Sequence, residues 1–194
     1  MEFGAWGLAN QHHAIYVISI NVSNMKKIGI FYGSATGTTQ NVSMRIAKML
    51  NIADSDVHDV GKTLPSAVGG YDILVLGTST WGSGELEDDW FDFLDGIEVL
   101  DLRGKEIALF GCGDETMSDT FCSAVGILHD RLSGTGAMFI APYDTIGYDF
   151  DESLAKPAEA EAAVGLLLDE VNHPELTPQR LAGWTKLIMD SQTA

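Results

Sequence analysis

Three short segments of this 194-residue chain combine hydroxyl side chains with glycine, and each follows an apolar run. The first consists of Ser34, Ala35, Thr36, Gly37, Thr38 and Thr39. A helix beginning here would direct unpaired N–H groups and a partial positive charge at a bound phosphate. No Lys follows the glycine, so the segment is not a Walker P-loop. Neutral donors suit a tightly held cofactor phosphate better than a phosphate in transfer, although an ordinary capped helix start explains this segment equally well.

The second segment places a tryptophan among small polar residues. It consists of Thr78, Ser79, Thr80, Trp81, Gly82, Ser83 and Gly84. A tryptophan in such a turn has little core to fill, and loops carry function more often than packing. Its indole ring is therefore suited to stacking on a flat apolar partner. The alternative is that Trp81 folds back over the helix that follows it.

The third segment has two glycines and several acids but no cation. It runs from position 111 to 119 and includes Cys112, Gly113, Asp114, Met117 and Asp119. The pair Gly111-x-Gly113 lacks the third glycine of a dinucleotide fingerprint, so the motif by itself is weak evidence. The two cysteines of the chain, Cys112 and Cys122, form no zinc pattern and predict buried, reduced thiols in a reducing cytoplasm.

The composition excludes several classes of protein. The chain has 28 Asp and Glu against 11 Lys and Arg, a formal net charge of −17. A protein this acidic repels phosphate backbones, which excludes a nucleic-acid-binding domain and favours basic protein partners. No apolar run is long enough for a transmembrane helix. The apolar fraction of 45% suffices for a core of ordinary size.

From Met25 onward, apolar runs and amphipathic stretches alternate, which predicts a parallel sheet covered by helices on both faces. The predicted strands are 28–32, 57–60, 73–76, 107–110 and 137–140, with 163–168 as a continuation of the fifth. Helical periodicity groups Val42, Ile46, Met49 and Leu50; Leu86, Trp90, Phe93, Leu94 and Ile97; Phe121, Val125, Leu128 and Leu132; and Leu181, Trp184, Leu187 and Ile188. The last helix is predicted to begin with Thr177 as N-cap and Pro178 at the first helical position.

Ligands of such sheets bind outside the carboxyl ends of the strands, where the strand order reverses. The three segments described above follow the first, third and fourth predicted strands. We therefore expect them to meet at one edge of the sheet and to form a single site.

The ordered series of motifs resembles the flavodoxin family, long-chain type. The motifs are 27–33, Ser34-x-Thr36-Gly37-x-Thr39, Thr80-Trp81-x-x-Gly84-Glu85-Leu86 and Gly111-x-Gly113-Asp114. The resemblance runs from Met25 to about Met189, and the block 141–162 corresponds to the insertion that marks long-chain members. It implies an α/β fold with a three-layer, doubly wound, five-stranded parallel sheet of order 2-1-3-4-5, whose last strand is interrupted.

The resemblance also implies non-covalently bound FMN. By position, the phosphate would lie on the segment from Ser34 to Thr39, Trp81 would stack on the isoalloxazine ring, and the backbone of Cys112, Gly113 and Asp114 would line the pyrimidine edge. Gly82 stands where family members flip a peptide towards the semiquinone. Most long-chain members cover the outer ring face with a Tyr of the third segment, and here Met117 stands nearest that position.

The implied function is one-electron transfer at low potential, with the flavin cycling between semiquinone and hydroquinone. Many acids around the ring make the added negative charge of the hydroquinone costly. The expected partners are basic redox proteins, such as a flavodoxin or ferredoxin reductase and acceptor oxidoreductases. The protein itself is expected to be a cytoplasmic monomer. The alternatives are an FMN-dependent NAD(P)H:quinone reductase of the same superfamily and a flavin-free binding module of the same fold.

Residues 1–24 differ in character from the rest, with one acid and no Lys or Arg. They have neither the basic region of a secretory signal nor the arginines of a transit peptide. We interpret them as an N-terminal extension, disordered or the result of a start codon assigned too early, and residues 25–194 as the FMN-binding domain.

Overall fold

A computed structural model describes residues 25–192 of the chain. The interpretation of residues 1–24 as an extension lies outside the described residues. The helices are α1 (Thr38–Leu50), α2 (Trp90–Glu98), α3 (Ser123–Leu132) and α4 (Thr177–Ser191). The strands are β1 (Ile28–Tyr32), β2 (Val57–Asp59), β3 (Ile73–Trp81), β4 (Glu85–Leu86), β5 (Glu106–Gly113), β6 (Met138–Ile140), β7 (Tyr143–Asp144), β8 (Ala162–Ala163) and β9 (Leu166–Asp169). Short 3-10 helices cover Asp54–Asp56, Val60–Lys62, Pro65–Gly70 and Ser133–Thr135.

The central sheet is parallel and has the order β2-β1-β3-β5-β6. Two strands share its last position, because β6 pairs with the beginning of β5 and β9 pairs with its end. The residues between them include the antiparallel pair β7–β8. The predicted order 2-1-3-4-5 with an interrupted last strand is therefore confirmed, and β4 adds an antiparallel partner at the end of β3.

Both faces of the sheet are buried, which gives the molecule three layers. Alternate residues of one strand enter different cores, since successive side chains of a strand point to opposite faces. On β1, Phe31 packs with Trp90 of α2 in one core, whereas Ile30 packs with Ile46 of α1 and Trp184 of α4 in the other. Continuous apolar strands are the expected consequence of burial on both faces.

Two strands run farther than the sequence predicted. Thr78 pairs with Gly111 and Ser79 with Cys112, so the ladder between β3 and β5 continues past the apolar runs. Buried backbone groups gain their hydrogen bonds from this pairing, which outweighs the weak strand preference of serine and glycine. Residues predicted to lie in loops, from Thr78 to Trp81 and from Gly111 to Gly113, are therefore held rigidly at the ends of strands.

Several details of the helices were predicted wrongly. Met49 and Leu187 are exposed, at 45% and 39%, and the buried faces of α1 and α4 include Ser43 and Thr185 instead. Leu86 lies in β4 and Phe121 precedes α3. The N-cap of α4 is Leu176 rather than Thr177, and it makes no side-chain capping bond.

Gly77 joins the sheet to the segment that follows β1. Its carbonyl oxygen accepts hydrogen bonds from Gly33 N at 3.1 Å and from Trp90 Nε1 at 3.0 Å. A Cβ atom at Gly77 would lie 2.0 Å from the ring of Phe110, a core residue on the neighbouring strand. This close contact leaves no room for a methyl group.

We expect Gly77→Ala to lower the free energy of unfolding by about 1–3 kcal/mol, because overpacking forces the Phe110 ring and the strands apart. Urea unfolding of the apoprotein would measure the change. Gly69→Ala is the control, since no atom lies within 4 Å of a Cβ there and its effect is expected within about 0.5 kcal/mol. Equal stabilities of the two variants would contradict the prediction.

Candidate functional site

The carboxyl ends of β1, β3, β5 and β9 meet at one edge of the sheet and enclose a groove of about 180 Å³. All three segments singled out in the sequence contribute to its walls. Its lining consists of Thr36, Thr38, Ser79, Thr80, Trp81, Cys112, Gly113, Asp114, Glu170 and Val171. No Lys or Arg is among these lining residues.

The first segment forms the N-terminus of α1. Gly37 is the N-cap, with a φ of 88°, a left-handed conformation that glycine adopts without strain. A Cβ atom at Gly37 would meet nothing within 4 Å, so the backbone there faces open space. Ser34 Oγ accepts a hydrogen bond from Gln40 N at 3.2 Å, and the hydroxyl oxygens of Thr36 and Thr38 lie 3.5 Å apart. This end of the helix has the free N–H groups and hydroxyl donors that an anion requires.

Thr39 carries a buried hydroxyl group that lacks a normal hydrogen bond. The residue is fully buried, and its Oγ1 atom has no hydrogen-bond partner among the described residues. A contact with Thr39 lowers the pKa of the nearby Cys112 thiol, and a thiol is at most a weak hydrogen-bond partner. Because a buried hydroxyl without a partner is costly, its retention here fits a ligand with oxygen acceptors.

Trp81 stands at the end of β3 and lines the groove, and the residue is 43% exposed. It pairs with Glu85 across a tight turn, in which Gly84 N donates to the Trp81 carbonyl oxygen at 3.0 Å. The indole Nε1 donates to Ser79 Oγ at 3.0 Å. This bond ties the edge of the indole ring to a residue of the groove wall. Trp81 therefore does not fold back over α2.

The end of β5 supplies backbone rather than reactive side chains. Burial raises the pKa of the Cys112 thiol to about 12, so this thiol stays protonated and is not a nucleophile. Asp114 Oδ1 accepts hydrogen bonds from Thr116 Oγ1 at 2.5 Å and from Thr116 N at 2.9 Å. These bonds hold the pKa of Asp114 below its usual value, and its carboxylate stays ionised.

Other predicted site residues lie away from the groove lining. Thr78 is buried within β3, and its hydroxyl donates to the Ser79 carbonyl oxygen at 3.0 Å. Ser83, Gly84 and Asp119 line a neighbouring groove of about 760 Å³. The members of the predicted set that line neither groove are Ser34, Ala35, Gly37, Thr39, Thr78, Gly82 and Met117.

Glu170 and Val171, absent from the predicted set, also line the groove. They follow β9, the second half of the interrupted fifth strand, whose carboxyl end reaches the same edge. The rule that ligands bind beyond the ends of parallel strands would have included them if applied to this strand. The Glu170 carboxylate lies 3.3 Å from Arg45 Nη1 of α1, which neutralises it.

Glu87 is a buried carboxyl group beside the start of the first segment. It is 1% exposed, and a Cβ at Gly33 would lie 2.2 Å from its Oε2 atom. Burial raises the pKa of Glu87 to about 7, and the negative charges of Asp89 and Asp88 act in the same direction. A hydrogen bond from Asp89 N at 3.2 Å only partly offsets these effects.

Comparison with known proteins gives consistent matches. The family model described as Flavodoxin matches residues 30–184. The chain is 43% identical over 161 residues to Flavodoxin 1 of Salmonella typhimurium, covering 82% of this chain and 91% of that protein. It is 40% identical over 174 residues to a flavodoxin of Synechocystis, covering 84% and 96%. A crystal structure of Fusobacterium nucleatum flavodoxin bound to flavin mononucleotide superposes with a TM-score of 0.77 at 30% identity, covering 86% and 99%.

Within residues 25–192, no helix is long and apolar enough to span a membrane.

We expect Glu87→Gln to become increasingly stabilising as the pH rises from about 4.5 to about 7. Wild-type Glu87 is protonated in both states only below about pH 4.5, whereas above about pH 7 folding must bury its charge. The free energy of unfolding of the variant should exceed that of wild type by about 1–2 kcal/mol above pH 7, allowing for solvent screening of the neighbouring acids. Urea unfolding across this range would measure the difference.

The exposed neighbour Glu85 provides the control, because Glu85→Gln should change stability by less than about 0.5 kcal/mol. A constant difference between Glu87→Gln and wild type over the whole pH range would show that Glu87 does not titrate near neutrality.

Proposed function

Because this chain belongs to the flavodoxin family, we propose that the groove at the ends of β1, β3, β5 and β9 is its FMN site. The chain is an FMN-based electron carrier and not an enzyme, in agreement with the resemblance found in its sequence. Bound FMN supplies a ring that accepts and releases single electrons. The observation that carries the assignment of the site is the meeting of all three predicted segments around one groove beside the unpartnered Thr39 hydroxyl.

The phosphate is assigned to the N-terminus of α1. The supporting features are the open backbone at Gly37, the hydroxyl groups of Thr36 and Thr38, and the buried hydroxyl of Thr39. These donors are neutral, so the helix dipole and the free N–H groups must hold the anion. A site of this kind retains a cofactor and performs no phosphoryl transfer, which fits an electron carrier.

The ring is assigned to the Trp81 side of the groove. The exposed indole offers a face for stacking, and the backbone of Cys112 and Gly113 offers donors and acceptors to the polar edge of the ring. The ionised Asp114 lies in the same wall. Negative charge close to the ring disfavours a second reduction that yields an anion, so we infer that the second electron is transferred at low potential.

Partners are inferred from the distribution of charge. The stretch from Glu85 to Asp101 has eight acids and no cation. Asp95 and Glu98 pair with Arg131, and Asp101 pairs with Arg103. Within residues 25–192, Glu85, Asp88 and Asp92 are exposed and form no ion pair. We therefore propose basic redox proteins, such as a flavodoxin or ferredoxin reductase and acceptor oxidoreductases, whose association weakens with added salt.

We further propose a monomer in a reducing cytoplasm, with residues 25–194 as the FMN-binding domain. The free, buried state of Cys112 and Cys122 supports the reducing compartment, and the family match to residues 30–184 supports the domain bounds. Mass spectrometry of protein from the native host would show whether residues 1–24 belong to the mature chain.

The assignment is tested by adding FMN to the apoprotein and following quenching of the flavin fluorescence. One FMN per chain should bind, and anaerobic reduction with dithionite should then proceed in two spectrally separate steps. A protein that takes up no FMN would overturn the assignment.

We expect Thr39→Val to weaken FMN binding about tenfold, because a hydroxyl donor to the phosphate is lost. Binding of riboflavin, which has no phosphate, should be unchanged. The same variant should raise the free energy of unfolding of the apoprotein by about 1 kcal/mol, since it removes a buried polar atom without a partner. Fluorescence titrations with both flavins and urea unfolding would measure these effects.

Ser43→Ala is the matched control on the same helix, because the Ser43 hydroxyl is already bonded to the Thr39 carbonyl oxygen at 2.8 Å. It should leave both flavin affinities unchanged. An equal loss of FMN and riboflavin affinity in Thr39→Val would contradict the role assigned to Thr39.

We expect Gly82→Ala to destabilise the one-electron-reduced form by roughly 0.5–1 kcal/mol, the scale of a conformational advantage of glycine. Gly82 has a φ of 50°, and the contact that a Cβ there would make at 2.1 Å is with the mobile end of exposed Glu85. Spectra recorded during anaerobic reduction would quantify the half-reduced species.

Gly104→Ala is the control, because Gly104 has a similar φ of 83° and no atom within 4 Å of a Cβ. It should lower stability through backbone strain and leave the redox behaviour unchanged. An unchanged yield of the half-reduced species in Gly82→Ala would exclude a peptide flip at this residue.

A further inference from the structure

The side-chain amide of Asn172 bridges two carboxylates at the ends of β5 and β9. Asn172 Nδ2 donates to Asp114 Oδ1 at 2.9 Å and to Asp169 Oδ2 at 2.7 Å. An amide nitrogen carries two hydrogens, so both bonds form at once. Asp114 belongs to the segment after β5, and Asn172 belongs to the segment after β9. The amide therefore ties together two segments that both line the groove.

Asp169 is the buried anchor of this bridge. It is fully buried, and it accepts hydrogen bonds from Val171 N at 2.8 Å, Asn172 N at 2.7 Å and Glu115 N at 2.9 Å in addition to the Asn172 amide. Burial alone would raise its pKa, but these donors, the Asn172 side chain foremost, outweigh burial and hold the pKa below its usual value. The carboxylate thus stays charged without a cation and fixes the backbone of both segments.

A second set of contacts holds the other side of Glu115. Its carboxylate lies 3.5 Å from Arg180 Nη1 of α4 and accepts a hydrogen bond from Asp149 N at 3.1 Å. The Arg180 guanidinium also covers the Tyr148 ring at 3.6 Å. Asp169 therefore holds the backbone of Glu115, and Arg180 holds its side chain. The Asp114 carboxylate, in contrast, is held by its hydrogen bonds from Thr116 and Asn172.

We propose that Asn172 is a positioning residue for the flavin ring, acting through Asp114 and Asp169. This inference rests on the proposed FMN site. With both carboxylates on one amide, the segments carrying Gly113 and Val171 are held at a fixed spacing across the ring end of the groove. A neutral amide does this without cancelling either negative charge. Because the bridge acts on the ring end, it affects flavins with and without a phosphate equally.

The test uses Asn172→Ala in the full chain, with FMN and riboflavin as probes. In the apoprotein, hydrogen exchange at the Glu115 and Thr116 amides should be about tenfold faster than in wild type. The dissociation constants of FMN and riboflavin should both rise by the same factor, about tenfold. The control Gln179→Ala alters an exposed amide of α4 and should change none of these quantities.

Asn172→Asp gives a second, independent readout. At pH 8 its carboxylate faces Asp114 and Asp169, with Glu115, Glu170, His173 and the paired Arg45 and Arg180 nearby, so the bridge is broken. At pH 5.5 a protonated carboxyl, favoured by the two facing carboxylates, donates one hydrogen bond and should recover much of the flavin affinity. The affinity of wild type over the same pH range is the reference.

Unchanged dissociation constants in Asn172→Ala, or a loss confined to FMN, would overturn the inference. The inference would also be overturned if Asn172→Asp did not regain flavin affinity at pH 5.5 relative to wild type. If Asn172→Ala does not fold, the result with Asn172→Asp decides the question. A wild-type protein that binds no FMN would instead overturn the proposed function. Hydrogen exchange in the apoprotein reports on the bridge whether or not a flavin binds.

Discussion

The groove proposed to hold FMN has no Lys or Arg in its lining, so an anionic cofactor bound there depends on backbone N–H groups and hydroxyls. The fold meets this constraint by ending its parallel strands at one edge and beginning α1 there. In the proposed site, the N-terminus of this helix offers the phosphate its free N–H groups and partial positive charge. Trp81 and the end of β5, to which the ring is assigned, lie along the same edge. The strand order is thus what brings the parts of the proposed site together.

Each arginine is paired with an acid, so the arginines do not place positive charge in the lining of the groove. All four lie within the described residues, and each pairs with an acid: Arg45 with Glu170, Arg103 with Asp101, Arg131 with Asp95 and Glu98, and Arg180 with Glu115. The charge of each arginine is therefore balanced by an acid within the protein, and no arginine lines the groove. Arg45 pairs with Glu170, which lines the groove. The acids after Trp81 that form no ion pair, Glu85, Asp88 and Asp92, are therefore the ones available to the proposed basic partners.

The sequence predicted the parallel sheet and the three segments because apolar runs and glycine-rich segments alternate clearly along the chain, whereas the strand order was implied by the resemblance to the flavodoxin family. It could not predict that β3 and β5 extend through Thr78 and Cys112, since pairing between strands overrides the local preference of serine and glycine. The predicted set leaves out Glu170, Val171 and Asn172, because the rule that ligands bind beyond the ends of parallel strands is applied there only to the first, third and fourth strands. The buried face of α1 is misjudged at Met49 because small residues such as Ser43 can face a core as well as large apolar ones.

Two buried carboxyl groups near the groove show that the number of backbone N–H donors, more than burial, determines whether the pKa of a carboxyl group rises or falls. Glu87 and Asp169 are both almost fully enclosed, yet the pKa of Glu87 rises to about 7 and that of Asp169 falls. Asp169 lies at the ends of two strands, where several backbone N–H groups donate hydrogen bonds to it. Glu87 lies among other acids and accepts a hydrogen bond from Asp89 N. The same resource that stabilises the Asp169 charge is the one that α1 offers to a phosphate. Asp169, at the end of two strands, therefore keeps its negative charge, whereas Glu87, with a single backbone donor and several acids around it, is driven towards the neutral form.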